Sequence, residues 1–390
     1  MEKKLCHVFF DEFPKDSRIR RYTNTLLAHE FKVFIVCIKG DSKKILEHNG
    51  NINIYRVPLR KKRSSFARRL WEYFLFEVFS FLIVSYLCLR YRIRLFHVHT
   101  LPDFLVFTCW LPKILGSKII LDFHELFPEF MCQHKPSAQN SFIMKILYFQ
   151  EKASFRFANE VIVFHDLARG ILENRVKIKK NITVVMNGVD PSELPVIQRE
   201  KTDKFNIVYN GTINFNLNLS LIIKALEIIK RKYPEIYPKI EFHLYGDGPD
   251  LENILNLANK LAIPNVRYHG RLRFKEMMER LSTASVCILP PKKDIYSDLY
   301  YSLKLTEMIY LKIPVIATKL KTYLYYFPED CVIYFDSDDA DQLAEKIVFV
   351  YRYPSEVLKF TENAFNRYQA YNWEIMSARY SKLINSLICQ

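Results

Sequence analysis

Short apolar runs alternate with helix-length amphipathic stretches along this chain, and about halfway through the alternation stops and begins again. In the first half His7–Phe10, Val33–Ile38, Ile52–Val57, Leu95–His99, Lys118–Phe123 and Val161–Phe164 read as strands. In the second, Phe205–Asn210, Lys239–Tyr245, Val266–His269, Val286–Leu289 and Pro314–Thr318 do so, with helical patterns such as Ser220–Lys232 between them. Such alternation means parallel sheets joined by right-handed crossovers. At 390 residues the chain also exceeds what one core normally holds. The expectation is therefore an α/β protein of two doubly wound, Rossmann-like domains facing across a cleft. The junction is placed in the proline-bearing, mixed-charge stretch Asp190–Asp203. Ligands of such sheets bind beyond the carboxyl ends of the strands, so the loops there are where chemistry is sought.

Charge narrows the partners. Residues 1–200 carry 32 Lys and Arg against 20 Asp and Glu, and the rest carries 25 against 22. A basic first half suits a polyanionic surface. With no zinc-finger, RRM or KH pattern, an anionic membrane surface is expected and nucleic acid is not. The basic cluster Arg60, Lys61, Lys62, Arg63, Arg68 and Arg69 precedes Trp71 and an apolar run to Leu89. Three readings of this segment stay open: a spanning helix, a buried crossover helix, and a crossover helix whose basic, aromatic start docks on lipid. The start Met1-Glu2-Lys3-Lys4-Leu5 has no signal-peptide pattern, so the expected location is cytoplasmic, peripheral on the inner face of the cell membrane. Eight cysteines without a CxxC pair read as reduced thiols rather than a zinc site or a disulfide framework.

The first strand is not followed by GxGxxG, which disfavours a dinucleotide-dependent oxidoreductase. Seven other local patterns occur in order: Asp16-Ser17-Arg18-Ile19-Arg20-Arg21, Asp122-Phe123-His124-Glu125-Leu126-Phe127-Pro128-Glu129, Val163-Phe164-His165-Asp166, Met186-Asn187-Gly188-Val189-Asp190, Gly246-Asp247-Gly248-Pro249, Ser302-Leu303-Lys304-Leu305-Thr306-Glu307 running on to Pro314-Val315-Ile316-Ala317, and Asn372-Trp373-Glu374. Together they resemble the retaining GT-B glycosyltransferases of sequence family four (glycosyltransferase group 1), over nearly the whole chain.

That resemblance implies an N-terminal acceptor domain over 1–195, a nucleotide-sugar domain over 196–371, and a last helix over 372–390 that crosses back to the first. It implies His124 and Glu125 as catalytic residues. The donor set it implies is Glu307 on the ribose and Lys304 on the diphosphate, with Gly211, Gly246, Gly248 and Ser302 around them; Asp298, Arg271 and Arg273 are candidates to stand in for family residues that this sequence lacks. A carboxylate that accepts both ribose hydroxyls, and a cation beside helix N–H groups facing a diphosphate, are physically sound roles. The activity implied is retaining transfer of a sugar from UDP- or GDP-sugar, used as substrate, to a lipid-linked glycan or polysaccharide in cell-surface glycan synthesis. No cofactor and no metal are expected. Three departures stand out. Leu299 occupies the place of the first of two glutamates, Thr212 and Asn218 replace the Arg/Lys pair that usually grips the diphosphate, and the glycine pair common near the first strand is missing. They keep two alternatives open: a catalytically inactive partner subunit, and a nucleotide-sugar epimerase of the same fold.

Overall fold

The computed structural model describes residues 2–61, 66–134, 141–194 and 202–388. The chain divides into two compact units, residues 1–187 with 374–390, and residues 188–373. The break thus falls at Asn187–Gly188, before the junction expected at 195, and residues 195–201 lie outside the described ones.

Unit 1 holds β1 (Lys4–Val8), β2 (Lys32–Ile38), β3 (Leu46–Asn49), β4 (Ile52–Val57), β5 (Leu95–His99), β6 (Lys118–Phe123), β7 (Glu160–Val163) and β8 (Ile182–Val184). Their order is β3-β4-β2-β1-β5-β6-β7-β8, and every pairing is parallel except β3 with β4. The central strands are buried on both faces, which is why they read as continuous apolar runs rather than alternating ones. The crossovers are α1 (Ser17–Ala28), α2 (Phe66–Tyr91), α3 (Trp110–Ile114), α4 (Phe127–His134), α5 (Phe142–Phe157) and α6 (Asp166–Val176). From β1 to β2 the chain steps one way along the sheet, and from β4 through β5, β6 and β7 to β8 it steps the other way. Right-handed connections therefore put α1 on one face and α2, α3, α5 and α6 on the opposite face.

Unit 2 holds β9 (Phe205–Thr212), β10 (Ile240–Asp247), β11 (Val266–Gly270), β12 (Val286–Leu289), β13 (Val315–Thr318) and β14 (Ile333–Phe335), all parallel, in the order β11-β10-β9-β12-β13-β14. Its helices are α7 (Ser220–Lys232), α8 (Leu251–Lys260), α9 (Phe274–Leu281), α10 (Leu303–Tyr310), α11 (Lys321–Tyr326), α12 (Ala340–Arg352) and α13 (Pro354–Tyr368). Ile207, Leu226, Phe242, Ile288, Ile316 and Ile347 lie in one buried cluster that joins the sheet to its helices. The last helix, α14 (Trp373–Ile388), packs with unit 1, where the Tyr380 ring lies 4.2 Å from that of Tyr22.

The sequence reading missed β3, β8 and β14. Each has three or four residues, too few for a period to register, and each is an outermost strand of its sheet. β3 also pairs antiparallel, against the all-parallel expectation. The described cysteines are free thiols, buried except for Cys132; Cys389 lies outside the described residues.

Candidate donor and acceptor sites

In unit 2, β9 and β10 run side by side to their last residues, with Gly246 opposite Gly211 and Asp247 opposite Thr212. The glycines are where this close approach requires them. Gly246 has φ +133°, and a Cβ there would stand 1.8 Å from the Gly211 carbonyl oxygen. A Cβ on Gly248 would meet the Ile213 carbonyl oxygen at 2.0 Å. The room these two leave is thus filled by the chain's own backbone rather than held open for a ligand. Gly211, at φ +129°, differs: a Cβ there would lie 2.0 Å from Lys304 Cε, so its absence lets the lysine lie across the strand end.

Lys304 is the second residue of α10, whose N-cap Ser302 accepts the Leu305 N–H at 3.4 Å. An ammonium at a helix N-terminus sits against the positive end of the dipole, a poor place for a cation unless an anion joins it. Burial lowers the Lys304 pKa, but Tyr300, Tyr209 and Glu307 together raise it above the ordinary lysine value, so the side chain is charged. Tyr209, Pro290, Tyr300, Ser302, Lys304 and Tyr323 line a narrow pocket here. Glu307 is buried and sits one turn further on, as the fifth helical residue rather than at the helix start expected for it, so a favourable first-turn dipole does not account for it.

Other expected donor residues have structural partners. The Asp298 carboxylate accepts the Lys321 N–H at 3.0 Å, caps α11 and pairs with Lys321 Nζ at 3.5 Å, which occupies the group expected to stand in for the missing glutamate. Asn218 adopts φ +51° and donates from Nδ2 to Asp338 at 2.9 Å, and Thr212 is exposed. Neither restores the absent cations. Arg271 and Arg273 follow β11, exposed and without an ion-pair partner among the described residues.

In unit 1 the β6 end carries His124 and Glu125, both half-buried. Beneath His124 lies a cluster that the motif reading missed. Asp122 is fully buried and takes two bonds from Arg18, Nε at 3.0 Å and a terminal nitrogen at 2.8 Å. Arg18 reaches it because α1 is started by Asp16, which caps Ile19 N–H at 3.0 Å. Two of the sequence patterns thus meet in one ion pair. Burial pushes the Asp122 pKa up, but Arg18 and the neighbouring His124 prevail and hold it well below the usual carboxylate range.

Around this carboxylate His7, His99 and His124 form a chain. His7 Nδ1 is 2.9 Å from His99 Nε2, and His99 Nδ1 is 3.0 Å from His124 Nε2 and 3.3 Å from Asp122. His97 joins Tyr380 at 3.0 Å. Burial holds His7, His97 and His99 below the ordinary histidine pKa, so they are neutral. Each neutral ring has one N–H and one lone pair. His7 Nε2 is buried without a partner, and an orphaned N–H is more costly than an orphaned lone pair. Sparing His7 an orphaned N–H favours one order, in which His7 Nδ1–H donates to His99 and His99 Nδ1–H to His124; against it, His124 Nε2 lies 3.4 Å from Asp122 and in the reverse order would donate there. In the first order the His124 ring offers an Nδ1–H donor, suited to an oxygen of a sugar or phosphate, and in the reverse order an Nδ1 acceptor. His7, His97 and His99, and likewise His99, Asp122 and His124, bring potential ligand atoms within 4.8 Å. The Arg18 cation already lies on the Asp122 carboxylate, so no ion is assigned.

Of the expected membrane residues, Lys62 and Arg63 lie outside the described ones. Arg60, Arg69 and Trp71 are exposed, Lys61 pairs with Asp11 at 2.9 Å, and Arg68 pairs with Glu72 at 3.3 Å.

Residues 17–193 match the family described as Glycosyltransferase Family 4, and residues 191–367 match Glycosyl transferases group 1. No curated protein sequence matches the chain. Among solved structures, sucrose-phosphate synthase from Thermosynechococcus elongatus is similar at TM-score 0.76 and 17% identity, covering 100% of both chains. An E. coli trehalose-6-phosphate structure bound with UDP-2-fluoro glucose is similar at 0.72 and 12%, covering 98% of this chain and 99% of that one. Anabaena HepE in complex with UDP is similar at 0.69 and 10%, covering 99% and 100%. At such identities these likenesses show the GT-B fold.

Proposed function

The chain belongs to the group 1, family four glycosyltransferases, sugar-nucleotide transferases of GT-B fold, and we propose that it moves a hexose with retention from UDP- or GDP-sugar to a lipid-linked glycan or growing polysaccharide, in cell-surface glycan synthesis on the cytoplasmic side of the membrane. The observation that carries the donor part is Lys304, a charged lysine laid across Gly211 at the N-terminus of α10, with Glu307 one turn behind it. A diphosphate supplies the anion which that position lacks, and the site stabilises it as charge grows on the leaving group. Glu307 accepts the ribose hydroxyls. Arg271 and Arg273, exposed after β11, are cations from which this unit can draw to replace the missing Arg/Lys pair. In unit 1, His124 donates from Nδ1 to a sugar or acceptor oxygen and Glu125 orients the acceptor. UDP accompanies two of the similar structures, which supports a uridine donor by analogy.

The test is a thermal-shift panel of UDP-, GDP- and dTDP-sugars, followed by transfer to a lipid-linked acceptor with the anomeric configuration of the product read by NMR. At about 100 Kd a ligand stabilises by about 2.7 kcal/mol. No shift with any donor refutes the donor site, and an inverted product refutes retention. One observation favours a second reading. Asn218 is tied to Asp338 and Thr212 is uncharged, as in a partner subunit without transfer activity. Donor binding with neither transfer nor hydrolysis identifies that case.

A further inference from the structure

Helix α2 is long and apolar enough to span a membrane, with mean hydropathy 1.7, yet both its ends are tied to strands of one sheet. Its inner stripe, Phe76, Ser80, Val84 and Leu87, is buried at helical spacing. The opposite stripe, Trp71, Phe74, Val78, Leu82 and Leu89, is exposed. A core crossover helix buries its apolar residues, and only a third of this apolar window is buried.

The same inversion recurs on its neighbours. Helix α5 turns Met144, Leu147 and Phe155 inward but leaves Phe142 and Phe149 each 75% exposed, with Ile146 beside them. On α3, Trp110 and Ile114 are exposed, the latter 73%. The Trp110 ring lies 5.5 Å from that of Phe157 at the end of α5, so α3 and α5 adjoin. All three helices cover one face of the sheet, as the right-handed crossovers require. So continuous an apolar surface marks an interaction site.

Charge identifies the occupant. Lys145, Lys152 and Arg156 lie at helical spacing on the outer side of α5, and Arg69, Arg90 and Arg94 are exposed at the two ends of α2. Among the described residues of α2, α3 and α5, no exposed carboxylate opposes them. Glu72 is buried against Arg68, Glu151 is buried against Arg175, and Glu77 is pushed by burial to about 8 and so is mostly protonated at neutral pH. A second copy of the same face brings like charges together and is disfavoured, whereas an anionic bilayer answers both the apolar stripes and the cations.

We propose that the outer surfaces of α2, α3 and α5 form one monotopic membrane face that inserts apolar side chains into an anionic lipid surface. This deepens the membrane part of the proposed function and needs no catalytic competence. It also changes the expected salt response: the cations steer and are screened by salt, but insertion persists.

Two of the three tryptophans, Trp71 and Trp110, lie on this face, and Trp373 is buried. The full chain is mixed with vesicles of phosphatidylcholine alone, or with one-third phosphatidylglycerol, in which the acyl chains are brominated. Expected are tight binding to the anionic vesicles, quenched tryptophan fluorescence, and partial retention in about 1 M salt. F142S with F149S should weaken binding at least about tenfold, with thermal unfolding in the absence of lipid as the control for folding. A K145Q, K152Q variant should show a weaker preference for anionic lipid. Absence of binding or of quenching overturns the proposal, as does unchanged binding of a folded F142S, F149S variant. A stable dimer in lipid-free solution that the same pair dissolves assigns the face to a second copy and overturns it as well. Because no donor is present, failure here leaves the transferase reading intact, and failure of transfer leaves this face intact.

Discussion

His7→Gln isolates one buried histidine and gives a pH dependence whose sign follows from its burial. His7 is fully buried on β1, and its pKa is held well below the ordinary value, first by loss of solvation and then by His97 and His99. An unfolded histidine titrates near pH 6.5. The folded group stays neutral while the unfolded one takes a proton, so its contribution is complete above about pH 6.5 and is lost as pH falls towards the folded pKa. Between about pH 7.5 and 5.5 that loss is about 1.4 kcal/mol for one group. The whole protein does not display it cleanly. Glu77 and Glu151, pushed by burial to about 8 and about 7, have the opposite sign: their contribution is present below the ordinary carboxylate range and is lost as pH rises through those values. The difference between wild type and variant cancels them. Urea unfolding of the full chain, followed through the fluorescence of Trp71 and Trp110 in unit 1, should show the destabilisation caused by the variant shrinking by about 1.4 kcal/mol over this range. Parallel profiles would mean that His7 titrates alike in both states, and the neutral histidine chain would be refuted.

Other outcomes follow from the same geometry. Glu307→Gln should weaken donor binding by about 1.5–3 kcal/mol while the chain stays folded; unchanged donor KM and kcat would sink the ribose assignment. Gly211→Ala places a Cβ against Lys304 at a φ that disfavours side chains, costing about 1–3 kcal/mol of stability, and calorimetry should show donor affinity falling as the lysine is displaced. Arg18→Met leaves the buried Asp122 without its cation, so thermal unfolding should report a loss of about 3–5 kcal/mol. Excess EDTA should leave transfer intact; full loss restored by manganese or magnesium would remove Lys304 from its role as the main counter-charge.

The architecture was legible because parallel strands buried on both faces write themselves as apolar runs, and crossover helices write a second period between them. The glycines were legible as positions, but for another reason than the one that draws attention to them. Gly246 and Gly248 let the ends of β9 and β10 and the following loop pack against each other, and only Gly211 makes room for a functional side chain. Asp298 misled because a carboxylate in a loop carries no mark of its partner. The N–H it caps belongs to Lys321, far along the chain, and only the fold brings them together.

The histidine cluster shows where reading along the chain stops working. His7, His97 and His99 lie on two strands whose pattern is apolar, and a histidine in such a run reads as one more buried residue. What gives them chemistry is lateral: β1 and β5 are neighbours, so His7 pairs with His97 in register, and β5 lies beside β6, which places His99 opposite Asp122. The pattern beginning at Asp16 and the pattern around Asp122 looked independent in the sequence. In the fold the first supplies the arginine that keeps the carboxylate of the second ionised. That carboxylate faces both His99 Nδ1, at 3.3 Å, and His124 Nε2, at 3.4 Å, so it is the cost of orphaning an N–H on His7 that favours His124 accepting at Nε2 and presenting Nδ1–H. Nitrogen-15 shifts should therefore find Nδ1 of His124 protonated at neutral pH, and His99→Phe, which removes the donor, should move that proton to Nε2, where it can donate to Asp122. A His124 protonated on Nε2 in the wild type would reverse the chain and make this residue an acceptor, a general base instead of a hydrogen-bond donor.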